Sequence, residues 1–418
     1  MNILFIHQNF PGQFKHLAPA LAALPGHRVV AMHINATPPM AGVQLVRYGL
    51  PRQPPGKTHR WLTDLETKVI RGEAAYRAAL ALKQNGFSPD VIVAHPGWGE
   101  SLFLKDLWPQ ARLGIYSEFY YHAQGADMGF DPEFSAVKDD DACRLRLKNA
   151  NYELHFPMSP GGLAPTHWQR SVFPEPFRSQ ITVMHDGIDT QLVRPNAAVQ
   201  MVLGTRRGEV RLTRQDEVIT FVNRNLEPYR GYHIFMRALP AILRARPKAR
   251  VLIVGADGVS YGALPPQAAG AGPGKPPTGW RDIFLNEVKA ELDMDRVHFL
   301  GNVPYADFLQ MLQLSTVHAY LTYPFVLSWS LLEAMSSGCA IVASDTAPVR
   351  EAIEHNQTGR LVDFFNVAGL ANNVVALCED QAERARLGQA AREFAVSHYD
   401  LHSHCLPGQM AWVKSLLD

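Results

Sequence analysis

The sequence predicts an α/β protein made of two doubly wound, Rossmann-like domains facing a cleft. Three observations predict it. Short apolar runs alternate with helical stretches from one end of the 418 residues to the other. The runs are apolar on both faces, as strands of a parallel sheet covered by helices must be. The alternation lapses near residues 190–215 and then starts afresh, which divides the chain into two halves of domain size.

In the first half, "NILFIH" is a strand, "GQFKHLAPALAAL" a helix and "HRVVAMHI" a second strand. "PDVIVAHP" and "ARLGIYSEF" are two more strands, separated by the helical "GESLFLKDLW". The rhythm breaks between Phe119 and Pro160 and resumes with "SQITVMHDGID". The polar stretch from Thr190 to Glu217 reads as the boundary region. The second half runs strand "VITFVNRN", helix "GYHIFMRALPAILRAR", strand "ARVLIVG", helix "IFLNEVKAEL", strand "RVHFLG", helix "YADFLQMLQLS", strand "VHAYLTY", helix "LLEAMSSG" and strand "AIVAS". The Gly/Pro-rich "YGALPPQAAGAGPGKPPTGW" is a loop within this half, because the pattern continues on both sides of it. The domains are expected at 1–195 and 205–395, with a tail, 396–418, able to cross back to the first.

Composition narrows the function. A net charge of +1 gives no reason to expect nucleic acid as a partner. No apolar run is long enough to span a bilayer. The start "MNILFIHQNF" lacks a basic region and a cleavage site, so no signal peptide is read. Cys143, Cys339, Cys378 and Cys405 form no C-x-x-C pair, which argues against a zinc site and a disulfide framework and fits a reducing cytoplasm. "KDDDAC" reads as a solvated acidic face.

Open α/β sheets bind ligands beyond the carboxyl ends of their strands, so the residues that follow strands are the candidates. After the first strand, Pro11-Gly12 permits a tight turn into a helix whose first amides suit a phosphate, or make an ordinary turn. Neither G-x-G-x-x-G nor G-x-x-x-x-G-K-[ST] occurs, which disfavours nicotinamide dehydrogenases and P-loop kinases. In "FVNRNLEPYRGYH", Arg224 and Arg230 offer two planar guanidinium forks, suited to a diphosphate or simply to solvent. Ser330 and Glu333 fit the capping-box pattern S-x-x-E, which accounts for Glu333 structurally. A carboxylate at that helix start also suits two ribose hydroxyls, with Ser328 and the amides of Trp329 and Ser330 alongside. The pattern leaves both readings open.

Taken in order and at their spacings, "FVNRNLEPYRG", "VLIVGADG", "VHFLGNVPYADFLQMLQLSTVHAYLTYP" and "SLLEAMSSGCAIVASDTAPVREAIEHNQTGRLVD" resemble the carboxyl-terminal half of the retaining GT-B glycosyltransferases of group 1, or family 4. "ILFIHQNFPGQFKHLAPAL" and "ITVMHDGIDTQLVRP" extend the resemblance to the first half. The resemblance implies a GT-B fold and transfer of a hexose from a nucleotide-diphosphate sugar to a glycan or lipid-linked acceptor, in surface polysaccharide synthesis. It implies that Arg224 and Arg230 hold the diphosphate, Glu333 the ribose, the 328–330 turn the diphosphate and sugar, and Gly12 the donor phosphates. Glu118, in "YSEFYYH", falls where the family carries a histidine, with His95 and His122 nearby. One departure stands out: the first glutamate of the family's E-x7-E motif falls at Phe325. That substitution keeps open a catalytically silent nucleotide-sugar-binding subunit. A phosphorylase would need a pyridoxal lysine, and the second half is poor in lysine. No cofactor and no metal are expected. The place implied is the cytoplasm, with peripheral contact at the inner face of the membrane as one reading of the segment carrying Arg52, Lys57, Arg60, Trp61, Lys68 and Arg71. An exposed loop and helix is the plainer reading of that segment.

Overall fold

A computed structural model describes residues 1–52, 56–134, 137–205, 207–266 and 279–418. The greater part of the Gly/Pro-rich loop therefore lies outside the described residues. The chain forms two compact units: Met1–Gly129, Val137–Gly187 and Leu401–Asp418 make the first, and Phe130–Ala136 with Ile188–Asp400 the second. The chain changes unit at Gly187, earlier than its polar stretch, and the last eighteen residues belong to the first unit.

The first unit holds a seven-stranded parallel sheet. Its strands are β1 (Asn2–Ile6), β2 (Arg28–His33), β3 (Val43–Arg47), β4 (Val91–Ala94), β5 (Arg112–Tyr116), β6 (Gly161–Ala164) and β7 (Ile181–Val183), in the order β3-β2-β1-β4-β5-β6-β7. β3 and β6 do not appear in the sequence reading. β6 is only "GGLA", with two glycines where strand propensity asks for branched side chains, and its parallel pairing to β5 and β7 makes it a strand. The core gathers Ile3, Phe5, Phe14, Val29, Val91, Val93 and Tyr116 with Trp412 and Val413 from the final helix, Leu406–Ser415, and Leu416 just after it. Gly114 of β5 admits that helix: a Cβ there would lie 2.4 Å from Leu416 and 2.8 Å from Trp412.

The second unit opens with an antiparallel pair, β8 (Gln200–Thr205) and β9 (Gly208–Thr213), inside the stretch read as a boundary. Its overall polarity hides a period of two: Met201, Leu203 and Leu212 enter the core, and their neighbours face out. Then follow β10 (Val218–Asn225), β11 (Arg250–Ala256), β12 (Val297–Gly301), β13 (Val317–Tyr320), β14 (Ala340–Ser344) and β15 (Arg360–Val362), a parallel sheet ordered β12-β11-β10-β13-β14-β15.

Each sheet reverses direction once, between β1 and β4 and between β10 and β13. At such a switch point the flanking crossovers run to opposite sides and leave a crevice beyond the strand ends. Ile6 pairs with Ala94, so the next residues, His7 and His95, emerge side by side.

Candidate functional site

Each unit presents its own constellation at its switch point. In the first, the His7 and His95 rings meet edge to face, 5.2 Å apart. A hydrogen-bonded arm runs from His7 to Glu118, and His95 faces the same carboxylate. The Asn9 amide donates to His7 Nδ1 at 2.9 Å, which puts the ring proton on Nε2, 2.9 Å from Gln13 Oε1. Gln13 Nε2 in turn donates to Glu118 Oε1 at 3.2 Å. On the other side the Gly97 amide donates to His95 Nδ1 at 3.3 Å, and His95 Nε2 faces Glu118 Oε2 at 3.4 Å. Trp98 and Tyr116 stack on His95, at 4.4 and 5.5 Å. Burial, reinforced by His95, holds His7 down to about 3, so it is a neutral imidazole at physiological pH and the arm keeps its direction. Glu118 thus accepts a hydrogen bond on Oε1, has the His95 Nε2 edge 3.4 Å from Oε2 without a hydrogen bond between them, and keeps its side chain one-third exposed. His122 turns away and bonds the Val172 carbonyl at 2.6 Å.

Gly12 has φ +46, and a Cβ there would stand 2.6 Å from the His7 ring. The structure therefore uses Gly12 to admit the His7 imidazole beneath the turn, whatever further role its amide has.

Glu100 lies close by and is fully buried, with both oxygens lacking a hydrogen-bond partner among the described residues. Burial pushes its carboxyl up to about 7, against the pull of Arg71 and His95. Its folded value is above its unfolded one, so the unfolded chain releases the proton first as pH rises, and stability falls between pH 4.5 and about 7. His7, His185 and His318, all depressed by burial, act oppositely, adding stability as pH rises toward 6.5. Glu100→Gln removes only the first contribution. It is expected to stabilise the protein by roughly 3 kcal/mol above pH 7 and to do nothing near pH 4. Melting curves of both proteins across pH 4–8 check this; parallel curves would show that Glu100 does not titrate in the fold.

In the second unit, Arg224 stands exposed at the end of β10. Arg230 is buried and clamps the turn after β13, donating from Nη1 to Thr322 Oγ1 at 2.7 Å and to the Val326 carbonyl at 3.1 Å. The two arginines are thus unequal: one reaches solvent, and the other shapes the loop that leads to Ser328. Glu227, also buried, accepts from the amides of Ser260, Tyr261 and Gly262 at 3.1–3.3 Å and fixes the loop after β11.

The helix here is Trp329–Ser336, and its N-cap is Ser328, whose Oγ accepts from the Ser330 amide at 3.3 Å. The capping box on Ser330 does not form. Glu333 sits in the second turn rather than the first, too far along to reach back to the cap. Its Oε1 accepts instead from the Tyr305 hydroxyl at 2.7 Å. The Ser330 amide is engaged by its own cap, and the Ser328 amide donates to the Tyr320 hydroxyl at 3.0 Å. Phe325 is buried, with its ring against Tyr229 and Tyr261 at 5.3 and 5.0 Å. An aromatic cluster fills the position of the missing glutamate.

Two surface readings change. Asp140 and Asp141 are not a solvated face: Asp140 pairs with Arg60 and accepts from Trp61 Nε1 at 3.0 Å, and Asp141 is buried, accepting from the Lys138 amide at 2.9 Å. Of the basic segment, Lys68 is buried beside Asp64, 2.8 Å away, and Arg52 lies 3.6 Å from Glu66. No helix among the described residues is long and apolar enough to cross a membrane. Among the described residues, Asp131, Glu133 and His233 bring ligating atoms within 4.8 Å of one another. Glu133, however, is forked on Arg237 at 2.7 and 2.8 Å, and Asp131 accepts from the Tyr323 hydroxyl at 2.7 Å. A guanidinium already supplies the positive charge there.

The sequence reading missed His7, Gln13, Glu227 and Tyr305. His7 was findable, since it follows a strand directly. Gln13 and Tyr305 act through partners 105 and 28 residues away, and no local pattern announces them.

Two Rossmann-like units with polar constellations at their switch points define a GT-B protein. A family model described as glycosyl transferase family 4 group matches residues 25–193, and one described as glycosyl transferases group 1 matches residues 205–394. The chain belongs to the group 1, or family 4, glycosyltransferases. It is 26% identical over 219 residues to the D-inositol 3-phosphate glycosyltransferase of Corynebacterium efficiens, covering 52% of this chain and 47% of that one. It thus spans about half the length of such curated relatives. It is 24% identical over 411 residues to a glycogen synthase of Mycobacterium tuberculosis, covering 92% and 86%. Among solved structures, Anabaena HepE in complex with UDP has a TM-score of 0.66 at 16% identity, covering 99% of this chain and 100% of that one. Sucrose-phosphate synthase from Thermosynechococcus elongatus has 0.68 at 16%, covering 99% of each. At such identities these likenesses speak for the fold.

Proposed function

We propose that this chain is a retaining glycosyltransferase that moves a hexose from a nucleotide-diphosphate sugar to a glycan or lipid-linked acceptor, in the synthesis of a surface polysaccharide. The observation that carries the proposal is Glu333: family position, burial and a carboxylate fixed by Tyr305 coincide in the helix that follows β13, one of the two strands of the second unit's switch point. In this reading Glu333 takes the ribose hydroxyls. Arg224 meets the diphosphate, and Arg230 holds the turn that supports it. Departure of the diphosphate builds negative charge, which fixed donors stabilise most where water is excluded. The leaving oxygen takes the acceptor proton on the same face of the sugar, which retains configuration. Glu118 supplies a fixed negative charge toward the oxocarbenium-like carbon or orients a sugar hydroxyl. Gly12 shapes the first unit's turn toward the donor phosphates. The reading invokes neither a cofactor nor a metal ion, with the Arg224 guanidinium set against the charge of the diphosphate. Relatives named for D-inositol 3-phosphate and phosphatidyl-myo-inositol, and a neighbour solved with UDP-glucose, support a nucleotide sugar and a polar acceptor. The proposed place is the cytoplasm, with peripheral contact at the inner face of the membrane where the acceptor is lipid-linked.

Thermal melts against a panel of nucleoside diphosphates and nucleotide sugars test the donor site. A ligand at 100 times its dissociation constant adds about 2.7 kcal/mol to stability. Glu333→Gln is expected to keep the fold and weaken the preferred nucleotide by about 10- to 100-fold, the value of hydrogen bonds to a charged group. Unchanged affinity would remove the ribose role. Phe325, buried where the family carries a glutamate, favours one second reading, a silent nucleotide-sugar-binding subunit. Release of nucleoside diphosphate from the preferred nucleotide sugar separates the two, since a silent subunit binds without turnover.

A further inference from the structure

Tyr305 is the first residue of the helix Tyr305–Leu314, reached from β12 through Gly301, at φ +65, and Pro304, the residue before the helix. Pro304 suits the approach because it fixes the backbone just ahead of the first turn and has no amide to leave unpaired. The helix start brings the phenol to Glu333, 28 residues further on, and the hydroxyl donates to Oε1 at 2.7 Å. The two partners differ in exposure: the Tyr305 residue is 47% exposed, and Glu333 only 8%.

A glutamate side chain has three rotatable bonds, and a carboxylate that must meet two vicinal hydroxyls needs its plane fixed as well as its position. A phenol bound to one oxygen fixes that plane. Burial, then the charge of Glu333 and the hydrogen bond to it, hold the phenol well above its ordinary range, so it remains a donor at every physiological pH. A lysine in its place could approach the same oxygen only through a more mobile side chain. The aromatic ring also lies against Phe308, with centroids 5.8 Å apart, which limits its own freedom.

We propose that Tyr305 is the positioning residue of the nucleotide site: its hydroxyl sets the Glu333 carboxylate for the 2′- and 3′-hydroxyls, and so makes the site selective for ribonucleotides over 2′-deoxyribonucleotides. The inference rests on the ribose role of Glu333.

The experiment measures the affinities of UDP, ADP and GDP and of their 2′-deoxy counterparts for the full chain and for Tyr305→Phe and Glu333→Gln. The wild type should prefer the ribonucleotide of its base, and Glu333→Gln should lose that preference. Tyr305→Phe should weaken the ribonucleotide by about tenfold and the deoxyribonucleotide, which keeps only the 3′-hydroxyl, by clearly less, and so lose most of the ratio between them. The phenylalanine lacks a single oxygen on a half-exposed ring, and the melting temperature without nucleotide verifies its fold. A purely structural role would weaken both nucleotides alike and lower that melt. If Glu333→Gln loses the preference and Tyr305→Phe keeps it, the inference about Tyr305 is overturned and the ribose reading stands. If Glu333→Gln itself keeps the preference, the ribose reading falls and takes the inference with it.

Discussion

Replacing Glu118 by glutamine is expected to cut turnover by a factor of about 10²–10⁴, the range a positioned proton-transfer or charge-stabilising side chain commands, with nucleotide affinity within twofold of wild type. The argument starts from the hydrogen-bond directions. The Asn9 and Gly97 amides settle which nitrogen of each imidazole carries a proton; Gln13 Nε2 donates to Glu118 Oε1, and the N–H edge of His95 faces Oε2 at 3.4 Å. An arrangement of donors alone is built for a carboxylate and not for an amide. Glutamine keeps the size but turns one oxygen into an NH₂ group that meets either Gln13 Nε2 or His95 Nε2 head on. The negative charge is lost at the same time. The residues proposed to hold the ribose and the diphosphate, Glu333 and Arg224, lie in the other unit, which is why affinity should hold while turnover falls. Release of nucleoside diphosphate from the donor identified by the melt panel provides the assay. A variant that turns over at the wild-type rate would leave Glu118 as a structural carboxylate only.

Gly231→Ala is expected to destabilise the second unit by about 2–5 kcal/mol, combining a left-handed residue's cost of about 1–2 kcal/mol with overpacking of about 1–3. Gly231 has φ +68 and stands between Arg230 and the helix Tyr232–Ala245. An added Cβ would come 2.3 Å from Leu321 Cβ, a distance that no rotamer change relieves because Cβ is fixed to the backbone. Leu321 is buried directly after β13, and Thr322, which Arg230 holds, follows it. The strain therefore falls on the turn that leads to Ser328 and Glu333. A fall in melting temperature of about 10 °C, with weaker nucleotide binding, is the expected readout. An unchanged melt would show that β13 and the helix can separate at little cost.

The two sheets were legible because parallel strands buried on both faces are written as unbroken apolar runs, and "NILFI", "VIVA", "VLIV" and "AIVAS" are such runs. β6 and the β8–β9 pair were not, because glycine-rich or half-exposed strands acquire their identity from partners that composition does not name. The same division runs through the site. Arg224 was legible as a polar residue at a strand end, and Glu333 and Glu118 through helix-start pattern and family resemblance. Their working arrangement was not. Ser328 rather than Ser330 caps the helix, because the chain enters it two residues earlier than the S-x-x-E pattern implies. Arg230 lies inside, because Thr322 and Val326 offer it oxygens from a turn 92 and 96 residues away.

By itself, then, the sequence determined the fold class and the residues eligible for chemistry, since period, polarity and strand-end placement are local properties. Only the tertiary structure decided which eligible residues act together: His7 with His95 and Gln13 around Glu118, and Tyr305 on Glu333. Hydrogen bonds depend on distance and direction in space, and the parallel order of each sheet brings together strand ends that are far apart along the chain.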